Sequence, residues 1–137
     1  MSEGARINGG CLCGAIRYEA PAQSSFVLNC HCTQCRHASS APFQTWMEFP
    51  EAEVVTTGEL SRYASSDHGV RSFCGNCGTQ ISFVSTNDPG MIYLTVASLD
   101  DPEAIKPTMN VHVVDGLRWI HIDDGLEKHP QMPPEHS

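Results

Sequence analysis

The sequence predicts an all-β protein. Three observations carry that expectation: apolar and polar residues alternate in short runs, no long helical period appears, and Gly, Pro, Asn and Asp separate the runs. Many short strands broken by such turns belong to a sandwich or barrel-like architecture.

Taken in order, "AIRYEA" places Ile16, Tyr18 and Ala20 on one strand face and Arg17 and Glu19 on the other. A short strand is expected at 26–29, and one short helix after Cys32. "FQTWMEF" alternates again, with Phe43, Thr45, Met47 and Phe49 opposite Gln44, Trp46 and Glu48. Further strands are expected at 53–57, 60–64, 79–84, 91–96, 111–114 and 117–122. Trp46 and Trp119 each fall on an alternating strand and are read as core or rim packing rather than substrate stackers. The segment 127–137, "EKHPQMPPEHS", carries three prolines and no apolar periodicity. It is read as a mobile or loosely docked tail beyond a core of about residues 5–125. A single domain accommodates all 137 residues, with no linker between Gly9 and Asp124.

Charge narrows the partners. Sixteen acidic and eight basic residues give a net charge of -8 and a pI near 5.2, which repels a nucleic-acid backbone and an anionic membrane surface. The N-terminal "MSEGARINGG" has no apolar core of a secretion signal, and the most apolar run, Met91 to Val96, is far too short to span a bilayer. The expectation is a soluble, cytoplasmic chain that binds neither nucleic acid nor membrane. In such a compartment seven cysteines read as metal ligands or catalytic thiols rather than disulfides, and an odd number cannot all pair within one chain.

Those cysteines fall into groups of two, three and two: Cys11 and Cys13 in "CLCG", Cys30, Cys32 and Cys35 in "CHCTQC", and Cys74 and Cys77 in "CGNCG". In a tetrahedron with zinc–sulfur bonds of about 2.3 Å the sulfurs lie about 3.8 Å apart, a separation these knuckles reach when the backbone bends. Gly14 and Gly78, each directly after a knuckle, can take a positive φ that turns backbone N–H groups toward thiolates. Each knuckle also leads into a strand, so two half-sites would close one structural four-cysteine zinc site. Cys30, Cys32 and Cys35 remain as three ligands of a second metal with an open position. His31 points away from its neighbours on an extended backbone, and His37 lies about 200° around a helix from Cys35. A distant His68, His112 or His121 would make that site a sealed one. Iron is a further metal choice, although C-x-C is not the usual iron–sulfur spacing. Thiol–disulfide exchange through Cys74 and Cys77 is the weaker reading of that knuckle.

The ordered segments "GGCLCGAIRYEA", "CHCTQCRHASSAPFQTW", "TGELSRYASS", "RSFCGNCGTQISF" and "SLDDP" resemble the glutathione-dependent formaldehyde-activating enzyme family, which includes the centromere protein V domain. The resemblance covers most of the chain and is most specific from Gly9 to Phe83. It implies a β-tent fold of zinc-stapled antiparallel sheets. It also implies a structural zinc on Cys11, Cys13, Cys74 and Cys77 and a catalytic zinc on Cys30, Cys32 and Cys35. One departure is Ser40, where the family pattern carries glycine, which leaves open the backbone path after the helix.

Three thiolates make zinc a weak generator of hydroxide and suit a soft thiol better than water. The expected activity is therefore that of a carbon–sulfur lyase joining a small thiol such as glutathione to an aldehyde such as formaldehyde. Arg36, next to Cys35, is the candidate partner for a glutathione carboxylate, against a solvated surface arginine. The competing class is a zinc-stabilised β domain that binds a protein partner without catalysis. His31 is read as a proton relay or a hydrogen-bonded structural histidine, and the pairs Asp100–Asp101 and Asp123–Asp124 as turn caps.

Overall fold

The computed structural model describes residues 4–134. Eleven strands and one helix follow in the order β1 (Arg6–Gly10), β2 (Arg17–Pro21), β3 (Val27–Cys30), α1 (Thr33–Ser39), β4 (Gln44–Pro50), β5 (Val55–Thr57), β6 (Leu60–Ala64), β7 (Gly69–Cys74), β8 (Gln80–Ser85), β9 (Met91–Thr95), β10 (Met109–Val111) and β11 (Glu127–Lys128). They form a three-stranded sheet, β1-β2-β5, and an eight-stranded sheet, β11-β10-β3-β4-β9-β8-β7-β6. The pairings are antiparallel except that β10 lies parallel to both β3 and β11. The architecture is the predominantly β one that the alternation predicts. No helix among the described residues is long and apolar enough to cross a membrane.

Alternation decides what each face buries. Ile16, Tyr18 and Ala20 are buried while Arg17 and Glu19 are exposed, so one side of the small sheet packs inward. They meet Met47, Phe49, Ile81 and Leu94 in the main apolar core, which also takes in Cys11 and Cys74. β4 is central, so its second face is covered too. Trp46 joins Phe26, Leu28, Cys30, Cys35 and Val111 in a separate core, with Phe83 and Tyr93 packed against it. Cysteines of the first and last groups thus belong to one core, and cysteines of the middle group to the other.

The structure departs from the sequence reading in three places. Residues 117–122 form no strand, and Trp119 is 68% exposed rather than packed. The alternation is present, but no strand of either sheet pairs with this segment. The segment read as a loose tail supplies that strand, and its backbone continues to pair: the N–H groups of His112, Val113 and Val114 donate to the carbonyls of Gln131, His129 and Pro130. Pro133 is fully buried. The last three tail residues, 135–137, lie outside the described residues. Finally, β1 and β7 add strands that the sequence reading left out, and the strand expected at 111–114 ends at Val111, where His112 turns into the left-handed region at φ 55°.

Candidate metal centres

The four-cysteine group is assembled by topology. Cys11 and Cys13 sit between β1 and β2, whereas Cys74 ends β7 and Cys77 follows in the turn before β8. Their sulfurs all lie within 4.8 Å of one another, with Cys11–Cys13 at 3.6 Å and Cys13–Cys74 at 3.7 Å. Those separations match the roughly 3.8 Å edge of a zinc–sulfur tetrahedron, so the donor set fits a metal ion. Gly14 and Gly78 both take φ 85°, as the turn requires. Backbone N–H groups converge on the sulfurs: Ile16 donates to Cys11 Sγ at 3.2 Å, and Asn76 and Cys77 donate to Cys74 Sγ at 3.4 Å. A hydrogen bond with Thr79 is the main reason that the Cys77 thiol is held down to about 5. For Cys11, burial pushes upward, and the Ile16 N–H with the Cys13 and Cys74 bonds outweighs it.

The three-cysteine group is local. Cys30 ends β3, Cys32 is the N-cap of α1 and Cys35 is buried in the helix, and their sulfurs lie within 4.8 Å of one another. The Cys35 N–H donates to Cys32 Sγ at 3.3 Å, so a ligand sulfur also satisfies one of the helix's free N–H groups. Hydrogen bonds with Cys30 and Cys35 hold the Cys32 thiol down to about 2, whereas bonds with Cys32 and Cys35, and then burial, push Cys30 up. Among the described residues this group contains no fourth His, Asp or Glu donor. Of the distant histidines, His68 and His121 are exposed, and only His112 comes near enough to lower Cys32 through its charge.

Behind this group the chain is fastened by polar contacts. His31 is 3% exposed, and its Nε2 lies 3.0 Å from Asn110 Oδ1, which also accepts from Asn29 Nδ2 at 3.2 Å. Thr45 Oγ1 donates to Asn29 Oδ1 at 2.6 Å, and Asn110 Nδ2 donates to the Asp124 carboxylate at 3.2 Å. His31 thus has the hydrogen-bonded, buried placement of a structural histidine. Asp101 and Asp124 accept from the N–H groups two residues ahead, as turn caps do, while Asp100 pairs with Arg17. The αL cap after α1 is Ser40, at φ 55° and ψ 37°. The path that a glycine would favour is kept, at the cost of a side chain in a strained region.

Two cavities flank α1, and both are lined by His37. Arg36 lines the smaller, of about 290 Å³; its Nη2 donates to Thr33 Oγ1 at 3.3 Å, and its Nε is buried with no hydrogen-bond partner. The larger, of about 460 Å³, is lined by Arg71, which the sequence reading passed over. Arg71 is 6% exposed, and its Nη2 reaches Cys35 Sγ at 3.7 Å. Alternation gives no signal for it, because the register of β7 against β8 shifts between Ser72 and Phe73.

A β protein whose two cysteine groups each suit a metal ion is the class that this fold and these sites define. The chain belongs to the glutathione-dependent formaldehyde-activating enzyme family, whose profile matches residues 6–115, a span that contains all seven cysteines. A protein of Schizosaccharomyces pombe described as uncharacterized lyase C29B12.13 is 38% identical over 79 residues. The match spans 58% of this chain and 58% of that relative. The crystal structure of a Rhodobacter sphaeroides protein superimposes with a TM-score of 0.59 over 90% of this chain and 99% of its own, at 18% identity, a likeness of fold.

Proposed function

We propose that the chain is a zinc-dependent carbon–sulfur lyase acting on a thiol–aldehyde adduct, in the first instance making or cleaving S-hydroxymethylglutathione. The single observation that carries this reading is the group of three sulfurs at α1, one of them in contact with the cavity-lining Arg71, with no fourth His, Cys, Asp or Glu donor among the described residues. The family description, which names glutathione and formaldehyde, supports the substrates, and the fission-yeast relative's name supports a lyase.

In the forward direction the thiol sulfur bonds to the aldehyde carbon, the carbonyl π pair moves to oxygen, and the thiol proton ends on that oxygen. The reverse direction breaks the carbon–sulfur bond, and no oxidant or reductant is consumed. Zinc held by Cys30, Cys32 and Cys35 would supply Lewis acidity and stabilise a thiolate at neutral pH. The protein does the rest by position. The α1 N-cap and the Asn110–His31 contact hold the three sulfurs in register, and Arg36 offers its guanidinium to a glutathione carboxylate. Cys11, Cys13, Cys74 and Cys77 hold a second, structural zinc.

Cobalt substitution tests the reading. The sulfur-to-metal absorption is expected to change when glutathione is added, and Cys35→Ser is expected to abolish the change. Nuclear magnetic resonance should then show S-hydroxymethylglutathione forming faster than the subtracted uncatalysed background. A spectrum indifferent to every thiol, but altered by mutation of His68, His112 or His121, would replace this reading with that of a zinc-stabilised protein-binding domain.

A further inference from the structure

The geometry points to Arg71 as the residue that recognises a carboxylate of the thiol substrate, in a subsite formed by the larger cavity between α1 and strands β6 to β8. The inference rests on the reading that the three-cysteine group receives a thiol.

Arg71 is a buried cation with no carboxylate partner among the described ion pairs. The described ion pairs are made by Arg6, Arg17 and His129, and none involves Arg71. Its guanidinium is nonetheless held firmly. Nε donates to Ser65 Oγ at 3.2 Å, Cζ lies 5.0 Å from the centre of the Phe83 ring, and Nη2 faces Cys35 Sγ. That leaves Nη1, which is buried and has no hydrogen-bond partner. Gln80, across the same cavity wall, carries a buried Oε1 that is likewise without a partner. Two residues that line one cavity thus carry a spare cationic donor and a spare neutral acceptor.

An amino-acid or peptide-like group is the complement of that pair. Its carboxylate accepts from Arg71 in a charge-assisted bond, and its N–H donates to Gln80 Oε1. Because the same guanidinium touches Cys35, a carboxylate bound there belongs to a molecule whose sulfur reaches the three-cysteine group. A role confined to polarising Cys35 would explain the Nη2 contact but neither Nη1 nor Gln80. Glutathione carries two carboxylates, and Arg36 and Arg71 line separate cavities on the two sides of α1, so the two arginines divide between them.

Calorimetric titration of the zinc-loaded protein with glutathione and with 2-mercaptoethanol, which has no carboxylate, separates the cases. Arg71→Gln is expected to weaken glutathione about tenfold or more and 2-mercaptoethanol less than about twofold. Equal weakening of both thiols overturns the inference, since Arg71 would then act through Cys35 alone. Gln34→Glu, at an exposed position that lines the larger cavity and not the smaller, serves if Arg71→Gln folds poorly, as judged by its melt. It is expected to weaken glutathione several-fold and spare 2-mercaptoethanol; unchanged glutathione affinity also overturns the inference. S-methylglutathione, which keeps both carboxylates but has no free thiol, tells the two readings apart. If the wild-type protein ignores 2-mercaptoethanol yet binds S-methylglutathione in an Arg71-dependent way, the thiol reading fails and the carboxylate subsite stands. If 2-mercaptoethanol binds and Arg71→Gln leaves glutathione unaffected, the reverse holds.

Discussion

The two cysteine groups use one residue type to opposite ends. The four-cysteine group joins segments that are 61 residues apart at Cys13 and Cys74; Cys11 and Cys74 belong to the main core with Ile16, Met47, Phe49 and Leu94, while Cys13 is exposed. The three-cysteine group is contained in one strand end and one helical turn, and it is steadied by polar neighbours: His31, Asn110 and Arg71. A site that closes a long loop contributes directly to folding, whereas one contained in a single turn leaves the chain's topology unaffected. The local site is also the more buried of the two, with Cys30 and Cys35 buried and Cys32 half-buried, and its helix borders two cavities.

The largest expected effect breaks this comparison or upholds it. Cys77→Ser should remove one metal ion and unfold the protein, because a structural zinc contributes on the order of 10 kcal/mol and a domain's whole stability is about 5–15 kcal/mol. Cys35→Ser should remove one ion and leave a cooperative melt. Elemental analysis beside thermal melts reads both, and equal loss of melting temperature in the two variants would erase the distinction.

Next in size is Asn110→Ala. Asn110 is fully buried and serves Asn29, His31 and Asp124 together, so its loss should cost about 2–4 kcal/mol. Urea titration measures the cost. If the network specifically supports the local group, this variant should also weaken metal at Cys30, Cys32 and Cys35 while the four-cysteine group keeps its ion.

The third prediction uses pH. Glu48 pairs in register with Tyr93, whose ring lies against Trp46 on the face of the three-cysteine core. Burial, and then the bond to Asp88, push its carboxyl from 4.5 up to about 8. The folded state therefore binds more protons than the unfolded state between those values, and stability falls as pH rises through that window. Glu48→Gln should flatten the fall, by on the order of 1–2 kcal/mol after discounting for solvent screening. A pH–stability profile identical to the wild-type one would contradict the assignment.

The smallest effect is expected at Ser40→Gly. Relief of the left-handed serine should raise stability by about 0.5–1 kcal/mol with metal content unchanged. A lower melting temperature would mean that the serine side chain contributes more than its backbone costs.

Much of this contrast was legible in the sequence, for identifiable reasons. The alternation in residues 16–20 assigned the inward face correctly, and in 43–49 it separated two faces that are both buried, because both strands lie inside a sheet whose neighbours enforce the pleat. The division of cysteines into four and three followed from spacing and from the glycines that both take φ 85°. Residues 117–122 misled because alternation records a face and not a partner, and no strand of either sheet pairs with them. The proline-bearing tail misled in the opposite direction, since a two-residue parallel strand leaves no periodicity to read. Arg71 went unseen because burial of a lone arginine depends on Ser65, Phe83 and Cys35, which only the fold brings together.

The parallel pairing of β3 with β10 also sets an order of events. Asn29 and Asn110 are neighbours in space but 81 residues apart in the chain, so as the protein is synthesised β3 can find β4 long before β10 exists. Throughout that interval one edge of β3 stays unpaired, immediately beside three thiols. Long-range partners of this kind slow folding and leave sticky edges waiting. The half-made chain, more than the finished one, is where aggregation and stray oxidation threaten this protein.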